Sequence, residues 1–224
     1  FNLLEGIRYK VFAEYYQEPT KENSGMQVVG LDFRHYTHVY RNLTVAIRGA
    51  GSTSFGDRKI LNVLGGVDSE LLAKQGDAEI AQDQGYYYLS QSSPMRGFFQ
   101  NSRNGNNFAI INSEVRWPVF TFFSQKPLNS EFTKTFMFTL FSDIGSAWNG
   151  FNPYSEENQF NQVVSAGNPV LVSVENNREP IVWSYGFGAR AKILGYFVRA
   201  DYGWGVDDGQ ILDGVLHLSL NIDF

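Results

Sequence analysis

The chain contains no cysteine, no long apolar run and few charged residues, and each absence excludes a class of protein. Without Cys it has no disulfide framework and no thiolate metal site. No stretch approaches the ~20 consecutive apolar residues of a membrane-spanning helix, which excludes a helical membrane protein. Charged residues make up 18% of the 224 residues, below the roughly 25% of an ordinary soluble domain.

The composition that remains favours a sheet-rich protein with a large non-aqueous surface. Aromatic residues reach 16% and glycine occurs 22 times, whereas the net charge is only -5. A negative net charge argues against a protein that binds the nucleic-acid backbone, so we expect no nucleic-acid partner. A mean hydropathy of -0.26 still allows a membrane β-barrel, because barrel strands alternate apolar and polar residues.

Apolar residues recur at every second position in segment after segment, which is the pattern of β-strands. From Ile181 to Ile193, odd positions carry apolar or aromatic side chains and even positions carry mostly Ser, Gly, Arg or Lys. The C-terminal stretch alternates in the same way, from Leu216 to Phe224. We therefore predict about nine strands, at 7–14, 29–36, 43–48, 59–64, 109–117, 135–145, 181–193, 196–205 and 216–224.

Charged residues recur on the polar face of these predicted strands, which excludes a dry sandwich core because unpaired buried charges are too costly. The pattern fits a barrel with a water-filled interior and an apolar face toward lipid. Trp183 and Phe187 would then face lipid, whereas a charge at Ser184 would be tolerated. The sequence predicts an all-β fold, an antiparallel transmembrane β-barrel, as one domain over 1–224.

The linkers between predicted strands divide into tight turns and long connections. Arg41 with Asn42, and Leu194 with Gly195, read as two-residue turns. The stretches 67–105, 118–134 and 149–180 read as long polar loops. A loop as long as 67–105 is usually functional or disordered, so we expect the specific function to involve it.

Two short motifs stand in a fixed order along the chain. The first is Met95-Arg96-Gly97-Phe98 in the longest loop, and the second is Phe141-Ser142-Asp143-Ile144-Gly145 in a predicted strand, with Glu114 on a strand between them. Together with the terminal aromatic Phe224, they resemble the bacterial surface antigen family, which includes the barrels of BamA-like assembly proteins and FhaC-like secretion proteins. Met95 departs from the β-branched residue of the family pattern.

This resemblance implies a sixteen-stranded barrel, of which about nine strands would be the C-terminal half. The loop 67–105 would fold back into the lumen, and Arg96 would pair with Asp143 while further donors reach Glu114. Gly97 would permit a tight turn, Phe98 would pack beside it, and Gly145 would leave room for the loop. Phe224 would be the C-terminal assembly signal.

The function implied by the resemblance is insertion or translocation of other proteins at the bacterial outer membrane, with lipid and client proteins as partners. Alternatives that stay open are a barrel that anchors a fused N-terminal patatin-like enzyme, a plugged pore, and a small closed barrel. An outer-membrane protein must be exported. Because the chain starts at Phe1 without a signal segment, we expect a preceding part.

No catalytic, cofactor or metal site is predicted. His35 and His38 fall on opposite faces of their predicted strand, so they do not converge on a metal. Gly49-Ala50-Gly51-Ser52 lacks the Gly-Lys-Ser/Thr that completes a phosphate loop, and no G-x-S-x-G elbow occurs. We therefore expect a protein that is not an enzyme.

Overall fold

The computed structural model describes residues 5–17, 25–80, 85–124, 127–155, 158, 162–167, 170–175 and 179–220. This part of the chain is all-β and mostly antiparallel, with two short helices. The elements are β1 (Gly6–Gln17), β2 (Gly25–Tyr40), β3 (Leu43–Gly56), β4 (Lys59–Leu64), β5 (Tyr86–Ser93), β6 (Arg103–Gly105), β7 (Asn107–Trp117), α1 (Val119–Phe123), α2 (Glu131–Thr135), β8 (Met137–Trp148), β9 (Gln162–Gly167), β10 (Val170–Glu175), β11 (Val182–Ile193), β12 (Tyr196–Asp207), β13 (Gln210–Ile211) and β14 (Val215–Ser219).

One large antiparallel sheet organises the molecule. Its strand order is β1-β2-β3-β7-β8-β11-β12, and both β13 and β14 pair with β12. Most neighbours in the sheet are also neighbours along the chain, as expected of antiparallel strands joined by hairpins. Within the described residues β1 and β14 are not paired with each other, so this part of the chain forms an open sheet and no closed barrel.

The two faces of the sheet differ sharply in accessibility. Along β11, Trp183, Tyr185 and Phe187 are exposed, whereas Val182 and Ser184 are completely buried. The same alternation continues along β7 and β8. We call the side of Ser184 the covered face and the side of Phe187 the apolar face. The predicted alternation of inward and outward positions is confirmed along β7, β8 and β11, whereas β1 is exposed on both sides.

The chain between β3 and β7 lies against the covered face, and we call its described residues, 59–80 and 85–105, the covering segment. It contains a small three-stranded sheet in which β4 pairs with β5 in parallel and with β6 in antiparallel fashion. The prediction that 59–64 is a wall strand is therefore wrong. The predicted loop 67–105 also has strands of its own, β5 and β6, and buried residues such as Met95 and Phe98 give it a core.

Both predicted tight turns are confirmed. Arg41 and Asn42 have φ angles of 44° and 66°, and Leu194 and Gly195 have 51° and 87°. Two consecutive positive φ values fit the right-handed twist of the adjoining strands in a two-residue hairpin. These turns lie at one end of the sheet, together with the connection between β7 and β8.

The other two long connections are more structured than predicted. The stretch 118–136 holds α1 and α2, and its aromatic rings contact one another, for example Phe120 with Phe136 at 5.4 Å between centroids. It is therefore aromatic rather than polar. Within 149–180, β9 and β10 form an antiparallel pair.

In the described residues, no helix is long and apolar enough to cross a membrane.

Candidate functional site

Arg96 anchors the covering segment to the large sheet. Its Nε and Nη2 donate to the two carboxylate oxygens of Asp143 on β8 at 2.8 and 2.6 Å, and its backbone N–H donates to the same carboxylate at 3.1 Å. The planar guanidinium fork matches a carboxylate in this two-bond arrangement. The predicted pairing of Arg96 with Asp143 is confirmed as a contact between the segment and the sheet.

Glu114 on β7 is the second acceptor of this site. Its carboxylate accepts from Nη1 of Arg96, from Nε of Arg116 at 2.8 Å and from Nη2 of Arg190 on β11. Three guanidinium groups thus surround one buried carboxylate. The predicted contact between Arg96 and Glu114 is confirmed, and Arg116 and Arg190 extend it across three strands.

Burial makes this cluster energetically important. Asp143 is completely buried, and Arg96 and Glu114 are each 1% exposed. Burial opposes the charge on Arg96, yet the carboxylates of Asp143 and Glu114 outweigh it and hold the pKa of the guanidinium above its ordinary value. Arg96 is therefore charged when the protein is folded near neutral pH. Removing it would leave buried carboxylates without their ion-pair partner.

The Phe141 ring packs against the Arg96 guanidinium, and the apolar residues of the motif are buried. Its Cζ lies 3.9 Å from the centroid of the Phe141 ring, a cation–π contact that is stronger away from water. Met95 and Phe98 are buried in one cluster with Leu64 and Phe108. Phe98 therefore packs in this apolar cluster, with its ring next to Gly205 of β12, and Met95 packs in the same cluster.

Gly97 is a point of close approach between the covering segment and β12. Its φ is +81°, and a Cβ placed there would lie 2.9 Å from the backbone carbon of Trp204. Gly203 and Gly205 on β12 make the room, since Gly97 backbone atoms and the Phe98 ring lie next to them. The positive φ of Gly97 fits the predicted tight turn, and the close approach to β12 was not predicted.

Gly145 has a different role from the one predicted. The three atoms nearest to a Cβ built on Gly145 belong to Ala109 and Ile110 of β7, not to the covering segment. At Gly97 the covering segment approaches Gly203 and Gly205 of β12 instead. The expectation that Gly145 leaves room for the loop is therefore wrong.

His217 on β14 is a further contact of the motif that sequence reasoning missed. Its Nε2 accepts from the backbone N–H of Gly97 at 3.0 Å, and its Nδ1 lies 2.8 Å from the Glu70 carboxylate. The three residues are separated by 120 and 147 positions along the chain. The sequence showed only that His217 lies on the polar face of the alternating C-terminal strand.

The covered face is drier than expected. Arg48 pairs with Asp32 at 2.7 Å and also donates to Ser93 of the covering segment, also at 2.7 Å. At the other end, Arg103 of the segment pairs with Asp207 at 2.5 Å. Several charges predicted to meet water are instead buried and paired with partners on the covering segment and neighbouring strands, whereas Arg8, Lys10 and Glu14 on β1 are exposed.

The remaining predicted residues contribute no further chemistry to this site. Phe224 lies outside the described residues. His38 accepts a hydrogen bond from the Asn42 backbone in a turn, and His35 lies near Thr37 on the same strand. Among the described residues no group of three or more His, Cys, Asp or Glu side chains could hold a metal ion.

Comparisons with known proteins return no match: no protein-family model, no curated protein and no solved structure is similar to this chain. The family resemblance therefore rests on the two motifs and on their geometry.

Proposed function

We propose that this chain is part of an outer-membrane β-barrel of the BamA-like type, which inserts or translocates other proteins at the bacterial outer membrane. The observation that carries the proposal is the buried cluster of Arg96, Asp143 and Glu114. It fixes an internal segment to the polar face of a sheet whose opposite face is apolar. A bidentate Arg on a folded-back segment is the arrangement that the family resemblance implies.

The apolar face supports a membrane location. Large apolar side chains are exposed on consecutive strands, including Leu31 at 52%, Ile111 at 54%, Leu140 at 52% and Phe187 at 42%. Monomeric soluble proteins rarely expose a contiguous apolar patch of more than a few hundred Å². Lipid acyl chains are the partner that such a face fits.

The edge of the sheet at β1 supports a larger barrel. β1 is twelve residues long and, among the described residues, has a pairing partner on one side only, β2. An exposed edge strand presents unpaired N–H and C=O groups and is a site of aggregation. We infer that further strands complete the barrel to about sixteen.

The proposed activity uses the edge of the sheet at β14. An extended client segment can add to such an edge through main-chain hydrogen bonds. No cofactor is needed for this step, because the hydrogen bonds and burial of apolar surface drive it. The covering segment would hold the wall rigid while the edge receives the client.

The test is reconstitution of the full chain in lipid vesicles with an unfolded small outer-membrane barrel as client. We expect the chain to accelerate insertion of the client, measured as the fraction protected from added protease over time. Vesicles with Arg96→Ala protein, matched for incorporated amount, should accelerate it less. Equal insertion rates with and without the chain would reject the proposal.

A plugged pore is the second candidate, favoured by the way the covering segment fills the polar face. Arg48 of β3 donates to Ser93 of the segment, and Arg103 near the end of the segment pairs with Asp207 of β12, so the segment is fastened to the sheet at two further points. Conductance of planar bilayers separates the candidates. A pore whose plug is released by Arg96→Ala would show a large rise in conductance without any effect on client insertion.

A further inference from the structure

Two residues of the covering segment lie along the outer edge of β14. The backbone N–H of Leu71 donates to the Leu218 carbonyl at 2.8 Å, and Glu70 forms an antiparallel bridge with Ser219. β12 pairs with β14 on its other side, where Ala200 is opposite Leu218. At this point β14 is therefore hydrogen-bonded on both sides.

These two residues continue the alternation of the sheet. The Glu70 side chain is 5% exposed and reaches the covered face, where it meets His217. Leu71 is 55% exposed, as is the apolar Leu216 at 56%. A polar side chain inward and an apolar one outward is the pattern that a neighbouring strand would present. The pair thus mimics a short strand beside β14.

His217 ties this pair to the motif. Its Nε2 accepts the Gly97 N–H, so the ring proton is assigned to Nδ1, which donates to the Glu70 carboxylate. The second Glu70 oxygen accepts the Val67 N–H at 3.3 Å. One buried side chain of β14 therefore holds both the motif turn and the strand-like pair.

We propose that Glu70 and Leu71 form an edge cap, which must leave β14 before another strand can pair there. The inference rests on the proposed function, in which β14 receives a client strand. An edge offers its carbonyl and N–H groups as a template, and the cap occupies the Leu218 carbonyl. Strand addition at β14 is therefore a competition with the chain's own segment, and His217 sets its strength.

Engineered disulfides test the cap directly, because the chain has no Cys of its own. Glu70→Cys with Ser219→Cys joins the two residues of the bridge and locks the cap on β14. The matched control is Gln75→Cys with Gln100→Cys, which joins the parallel bridge within the covering segment. The probe is a biotinylated peptide of sequence 210–220 that carries a photo-cross-linking benzoylphenylalanine, with cross-link sites mapped by mass spectrometry.

With the full chain in vesicles, we expect the oxidised Glu70–Ser219 pair to abolish peptide capture on β14 and reduction to restore it. The control pair should capture equally when oxidised and reduced. In the Cys-free chain, His217→Ala and Glu70→Ala should raise capture about tenfold, as expected from losing one hydrogen bond to a charged group. Glu70→Gln, which keeps an acceptor for Nδ1–H, should stay near the wild-type level.

Two results would overturn the cap: a Glu70–Ser219 pair that does not oxidise, or oxidised protein that captures as much peptide as reduced protein. If no variant captures peptide on β14, the client edge of the proposed function fails instead. The cap is then judged by hydrogen exchange of 66–76. Faster exchange in His217→Ala than in wild type supports it, and equal exchange rejects it.

Discussion

Arg96 and Asp143, which are 47 residues apart, form a two-bond ion pair with N–O distances of 2.8 and 2.6 Å. Asp143 also accepts the Arg96 backbone N–H, so one carboxylate fixes both the side chain and the main chain of the motif. With Glu114 on the neighbouring strand, this pair is the main electrostatic link between the covering segment and the sheet.

Arg96→Ala should destabilise the protein by about 3 to 5 kcal/mol, because it leaves buried carboxylates without their partner. Arg96→Lys should destabilise the protein by a smaller amount, since a Lys keeps the charge but cannot form the two-bond fork. The measurement is urea unfolding in lipid vesicles, followed by tryptophan fluorescence.

The control for Arg96→Ala is Arg58→Ala, because Arg58 is exposed. An exposed substitution usually changes the free energy of unfolding by less than about 0.5 kcal/mol. A similar small change for Arg96→Ala would mean that the buried pair does not hold the segment.

Arg96→Ala and Asp143→Ala should not be additive. Once either partner is gone, removing the other costs less. The loss in free energy of unfolding of the double variant should therefore be about 1 to 3 kcal/mol smaller than the sum of the two single losses. The same unfolding measurement gives this coupling.

Arg96→Ala combined with Asp57→Ala is the matched control pair, because Asp57 is exposed. Its effects should add to within about 0.5 kcal/mol. Additivity of the Arg96 and Asp143 variants would show that the two side chains do not interact in the folded protein.

Gly97→Ala should destabilise the segment more than Gly195→Ala. Both glycines have positive φ, but only Gly97 has backbone atoms of β12 within about 3 Å of a new Cβ. Gly195→Ala therefore measures the cost of backbone strain alone. In Gly97→Ala the new Cβ also clashes with the Trp204 backbone and pushes the motif away from β12.

Hydrogen exchange of 92–100, compared between the two variants, measures this difference. We expect faster exchange in Gly97→Ala and wild-type exchange in Gly195→Ala. Equal exchange in both would mean that the close approach to β12 is not present in solution.

Phe187→Lys should cost about 2 to 4 kcal/mol if Phe187 lies near mid-membrane, whereas Tyr196→Lys should cost about 0 to 1 kcal/mol near the interface. Phe187 is in the middle of β11, and Tyr196 follows the turn at the end of the sheet. Unfolding titrations in vesicles measure both. Equal costs would contradict a depth-dependent lipid environment.

The sequence predicted the strands and their faces because the period of two is a local signal. The alternation along β11 and the turn at Leu194 and Gly195 both follow from neighbouring residues. The same alternation also placed Arg116 and Arg190 on the inward, polar face. Their convergence on Glu114 depends on register between strands, which no single strand encodes.

The errors come from contacts between distant parts of the chain. The 59–64 strand has the composition of a wall strand, yet it pairs with β5 and β6. Ser184 was expected to tolerate a charge, but it is completely buried, so a charge there would be costly. The contact between Glu70 and His217 spans 147 residues and leaves no local pattern.

Single-Cys labelling tests whether the apolar face meets lipid. Leu140 and Phe187 are exposed on this face at 52% and 42%, so only a surrounding membrane would shield a Cys at either position. In bacterial membranes carrying the full chain, we expect a water-soluble maleimide to label Arg58→Cys but not Leu140→Cys or Phe187→Cys, until detergent is added. Equal labelling of all three variants in intact membranes would contradict the account.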